Sequence, residues 1–194
     1  MRAVWLGAVL AALPVPALAH STIEGIDAVY AGLLHPYFVP GHILALIALS
    51  LVIGGLDWRG WRAVIVVWLV ALLAGLGIGA AGVPPWQAAV LLLVMAMLCG
   101  VVAATGRRAN SAVAASAAAF IGVVVGIDSV PEDLSADVPW QVLGATALGA
   151  GAFPAYFGAL PIRFRHEWVR LGTRIVGSWV IAIAAMVLAL TILG

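Results

Sequence analysis

Long apolar runs alternate along the chain with short segments that hold nearly all of its charge. The first run is brief. Met1-Arg2 supplies a positive start, Ala3 to Leu13 is apolar, Pro14 and Pro16 interrupt it, and Ala17-Leu18-Ala19 has the small-x-small form of a cleavage site. That is the pattern of a secretory signal peptide, and the run is too short to cross a hydrocarbon core of about 30 Å. It predicts a signal peptide over 1–19 and a mature chain beginning at His20. Further on, 44 residues between Arg62 and Arg107 carry no charge, about twice the ~20 that one spanning helix needs. Gly82-Val83-Pro84-Pro85 divides them, because two prolines cannot continue a helix. Two antiparallel helices follow, Ala63–Ala81 and Trp86–Ala104. The remaining runs predict spans near Val39–Leu56, Ser111–Ile127, Pro139–Leu160 and Ile175–Leu193. Continuous rather than alternating apolarity selects helices over a barrel. The expected fold is all-α: a polytopic membrane protein with a six-transmembrane-helix bundle over 20–194, following the cleaved signal peptide.

Composition agrees. The 194 residues are 65% hydrophobic and 9% charged, against about 25% charged in soluble domains. Disorder, nucleic-acid binding and a secreted disulfide scaffold are excluded, the last because Cys99 is the single cysteine.

Charge placement sets an orientation. All nine basic side chains are arginines. Apart from Arg2 they fall in three turns: Arg59 and Arg62, Arg107 and Arg108, and Arg163, Arg165, Arg170 and Arg174. The positive-inside rule makes those turns cytoplasmic. The segment 20–38, the 82–87 turn and the 128–138 loop are then outside, as are both termini. The expected location is a bacterial-type inner membrane, multi-pass, with periplasmic N- and C-termini. Asp57 is expected to pair with Arg59 or Arg62. Trp58, Trp61, Trp86, Trp140 and Trp168 fall near span ends, as interfacial anchors do.

The outer face holds six of the eight acids: Glu24, Asp27, Asp128, Glu132, Asp133 and Asp137. His20, His35 and His42 share that side. Imidazole with carboxylate and no thiolate suits a divalent transition metal, and the local negative potential would concentrate cations. Asp133 and Asp137 read equally well as solvated. The central motif is His35-Pro36-Tyr37-Phe38-Val39-Pro40-Gly41-His42. Proline favours the first helical turn, so a helix opens near Pro40 and His42 lies within it near membrane depth. There an ionisable group is a functional-site candidate. His35 is expected in the preceding loop, folding back over the helix start. Cleavage before His20 would free an α-amine that chelates together with its own imidazole.

This layout resembles the HupE/UreJ family of hydrogenase and urease accessory membrane proteins. Of that family's His-Pro-x-x-Gly-x-Asp-His motif, His35, Pro36 and His42 match in spacing, with Val39 and Gly41 in place of the glycine and aspartate. The family's second cluster, His-x-His-Gly followed by an acid, is replaced by Gly126-Ile127-Asp128-Ser129-Val130-Pro131-Glu132-Asp133. The resemblance implies a nickel or cobalt permease, here as a divergent member, with copper or zinc ranking behind as cargo. Its site would comprise His20, His35, His42, Asp128 and Glu132 at the periplasmic face. The alternative is a non-transporting membrane subunit or metallochaperone serving a metalloenzyme or its maturation proteins. Implied partners are the lipid bilayer, the metal ion and such an enzyme, with a homo-oligomer compatible. There is no Walker motif and no Gly-x-Ser-x nucleophile facing a histidine, so an enzyme is not expected.

Glycine pairs Gly75-x-x-x-Gly79 and Gly122-x-x-x-Gly126 predict close helix contacts. Cys99 and His166 are expected to be structural and solvated, respectively.

Overall fold

A computed structural model describes residues 28–130, 140–164 and 166–193. The signal peptide expected at 1–19, His20, Glu24, Asp27, Glu132, Asp133 and Asp137 lie outside the described residues. The described residues form seven α-helices and no strand: α1 Ala28–Phe38, α2 Pro40–Ile53, α3 Trp58–Ala80, α4 Ala88–Thr105, α5 Ser111–Asp128, α6 Trp140–Arg163 and α7 Glu167–Leu193. Five of them, α3 to α7, are long and apolar enough to cross a bilayer. The α1–α2 pair, bent by 72°, makes a sixth candidate if taken as one broken span. The protein is thus an all-α polytopic membrane bundle.

The first expected span, Val39–Leu56, takes a different form from the one its hydropathy suggests. α2 has 14 residues, about 21 Å of helix at 1.5 Å per residue, short of a ~30 Å core. It is nevertheless the centre of the bundle, touching every other helix. Leu44, Ala45, Leu46, Ala48, Leu49, Val52 and Ile53 are all buried. A helix apolar on all sides belongs in such a place. The stretch before Pro40, where His35 is expected in a loop, is instead the helix α1. It is helical because its contact with α6 outweighs local propensity. A side chain at Gly32 would meet the Val142 carbonyl at 2.9 Å, and one at Gly149 would strike the Leu33 carbonyl, so both glycines allow α1 to lie against α6. The Tyr37 hydroxyl also donates to the Gly149 carbonyl at 2.6 Å.

The two glycine pairs do meet. Gly122 abuts Trp68 and Leu72, Gly126 abuts Leu72, Gly75 and Leu76, and Gly79 abuts Ile127. Contact positions rise together along both helices, so α3 and α5 are parallel and nearly backbone to backbone. α4 and α7 pack antiparallel, Gly100 against Gly177 and Ile181. α7 begins at Glu167 rather than at the expected Ile175. Its 27 residues make about 40 Å, so the first two turns, with Arg170 and Arg174, extend beyond an apolar layer. Arg174 Nε donates to the Ala104 carbonyl at 3.2 Å, a cation on the unpaired C-terminal end of α4. The outer face of α7 exposes Trp179, Ile183, Met186, Leu190 and Ile192, a contiguous apolar surface suited to lipid.

Asp57 does not form the expected ion pair. Its carboxylate accepts from the Gly60 backbone N–H at 2.8 Å and caps α3, because the first-turn N–H groups have no intrahelical acceptor. Trp58, Trp86, Trp140 and Trp168 are exposed near helix ends.

Candidate functional site

Local sequence places His42. Val39 is extended (φ −89°, ψ 115°) and Pro40 opens α2, since its fixed φ suits a first turn and its missing N–H is not needed there. His42 then sits in that turn, fully buried. Across the bundle, the parallel glycine contact holds α5 against α3, and α5 ends at Asp128. His42 Nε2 and Asp128 Oδ2 are 2.7 Å apart, the histidine inaccessible and the carboxylate 20% exposed. His35, on the last turn of α1 rather than in a loop, meets the His42 ring edge-to-face with centroids 5.4 Å apart and planes at 75°.

The Asp128 carboxylate, partly exposed at the end of α5, is a hydrogen-bond acceptor, so a neutral His42 would carry its proton on Nε2 and donate it to Asp128. Nδ1 then keeps its lone pair, and Nδ1 is buried with no hydrogen-bond partner among the described residues. A carboxylate that orients a histidine and leaves the other ring nitrogen bare is the usual supporting arrangement for a metal-ligating imidazole. Ser129 ties off the end of α5 by donating to the Val125 carbonyl at 2.6 Å.

Of the five residues expected at the site, the structure brings together His35, His42 and Asp128. His20 and Glu132 lie outside the described residues. Among the described residues no three His, Cys, Asp or Glu side chains are grouped to hold a metal ion. Asp128, expected as a ligand, is hydrogen-bonded to His42. Sequence reasoning gave Tyr37 no role; it anchors the His35-bearing turn to α6. Its signal was an aromatic hydroxyl between the two prolines of the motif. Cys99 is buried in α4. His166 is exposed and stacked on Trp168 at 6.1 Å.

A helical membrane bundle with a histidine–carboxylate pair sunk into one end defines the class. The family model described as HupE / UreJ protein matches residues 8–189, nearly the whole chain, and the protein belongs to that family. The family is associated with nickel or cobalt uptake, or with accessory functions for hydrogenase and urease. No curated protein and no solved structure matches the chain.

Proposed function

We propose that the protein admits a divalent transition metal, nickel or cobalt, across a bacterial inner membrane from the periplasmic side. The observation that carries this reading is the His42–Asp128 pair, with His42 fully buried and its Nδ1 left without a hydrogen-bond partner among the described residues. Nδ1 is the first donor for the incoming ion, His35 the neighbouring imidazole, and Asp128 the group that holds the tautomer. Once the hydrogen bond to His42 is exchanged for the metal, Asp128 is also an oxygen donor. His20 and Glu132 complete the proposed set. Imidazoles must be deprotonated to bind, so uptake falls on acidification.

A second reading, a membrane accessory subunit for a metalloenzyme, is favoured by one feature. Beneath His42 the bundle is closed by Leu46, Leu49, Ile53, Trp68, Leu72 and Ile121, all fully buried. A permeating ion requires that layer to part. Nickel accumulation by cells carrying wild-type or His42→Ala protein separates the readings. Transport predicts that accumulation drops to the level of cells lacking the protein, with the variant still membrane-inserted. Unchanged accumulation in both His42→Ala and His35→Ala favours the accessory role.

A further inference from the structure

The arginine-bearing end, opposite the histidines, holds an open groove of about 460 Å³. Its walls come from the α2–α3 turn and the α4–α5 loop, with Asp57, Arg59 and Gly60 on one side and Arg108 and Ser111 on the other. Asp57 is occupied in capping α3 through the Gly60 N–H. Asn110 likewise caps α5 by accepting from the Ala112 N–H at 2.9 Å. Among the described residues neither Arg59 nor Arg108 has an ion pair or hydrogen-bond partner. Two arginines on separate elements therefore line one groove with a single carboxylate, so its lining is net positive.

The parallel contact of α3 with α5 puts both N-termini at this groove, at Trp58 and Ser111. The C-termini of α2 and α4, at Ile53 and Thr105, end beside it as well, so the helix dipoles offset one another and the positive charge here is that of the arginines. Trp58 and Trp61, in edge-to-face contact at 5.4 Å, mark the interfacial level beside the groove. At that depth the abundant anions are phosphates, and guanidinium groups bind phosphate oxygens through paired N–H donors.

We infer that the groove between the α2–α3 turn and the α4–α5 loop is a binding site for a phosphate group, held by Arg59 and Arg108 with the Ser111 hydroxyl. Lipid headgroup and free phosphate share this chemistry, and the site lies at the end of the molecule away from the metal-binding histidines. Its failure would leave the metal reading untouched.

The test uses the full chain purified in detergent. Retention of dioleoyl phosphatidylglycerol over dioleoyl phosphatidylcholine is read by native mass spectrometry, and inorganic phosphate binding by calorimetry. Arg59→Gln/Arg108→Gln is compared with Arg163→Gln/Arg170→Gln, which removes equal charge from the same end outside the groove. The groove variant should lose retention on the order of tenfold, with the control close to wild type. Arg59→Lys/Arg108→Lys, which keeps charge but not the paired donors, should fall between. Selective loss of phosphatidylglycerol assigns a headgroup site; selective loss of inorganic phosphate assigns a free-phosphate site. Equal loss in the groove and control variants, or no binding of either probe to wild type, overturns the inference.

Discussion

At the scale of single residues, the weight falls on one hydrogen bond. In the proposed site, Asp128 sets which nitrogen of His42 carries the proton, and so which nitrogen is available to a metal. Asp128→Asn keeps the shape but can present an amide N–H to Nε2, shifting the proton to Nδ1 and blocking the donor. This substitution should weaken nickel or cobalt affinity by about 10- to 100-fold, measured by isothermal titration calorimetry, while thermal stability changes little. Wild-type affinity in the variant would mean that Asp128 does not set the tautomer. The same competition between proton and metal gives the pH dependence its sign: affinity declines as pH is lowered, because protonated imidazole has no lone pair to offer.

Helices α3 and α5 show how an element positions a residue. The close approach of Gly75 to Gly126 brings the end of α5, and with it Asp128, to the level of His42. A Cβ at Gly126 would lie 2.5 Å from the Leu72 carbonyl and 2.6 Å from the Leu76 nitrogen, both backbone atoms that cannot yield cheaply. Gly126→Leu should cost about 1–3 kcal/mol, and more if the helices separate, seen as a lowered thermal midpoint in detergent together with weakened metal binding. At Gly77 nothing lies within 4 Å of an added Cβ, so Gly77→Ala should be neutral or slightly stabilising, since alanine is the better helix former. Both glycine pairs were legible in the sequence because their spacing is a local pattern. So was the opening of α2, because Pro40 dictates it locally. α1 was not legible: Pro36 argues against a helix there, and the contacts that overrule it come from Val142, Thr146 and Gly149, more than a hundred residues away. The hydrogen bond of Asp128 was hidden for the same reason. Sequence placed both partners near one membrane face, but whether they meet depends on how far α5 advances along α3.

For the whole molecule, the arrangement is polar by charge: arginine turns at one end, and the histidine–aspartate pair at the other. Single cysteines introduced into a Cys99→Ala background should be labelled from the cytoplasm at Arg108 and from the periplasm at Val83. Cytoplasmic labelling at Val83 would invert the proposed direction of uptake. Between the two ends lies the closed apolar layer around Trp68 and Leu72, so the histidine and arginine ends communicate only if the bundle rearranges. The proposal of metal capture at the histidine end is therefore the one on which the rest depends, and the metal content of the purified protein tests it most directly. After equilibration with nickel or cobalt and removal of free ion, wild-type protein should retain metal, and His42→Ala and His35→Ala should lose most or all of it. Equal retention by wild type and both variants would contradict a site built on His42.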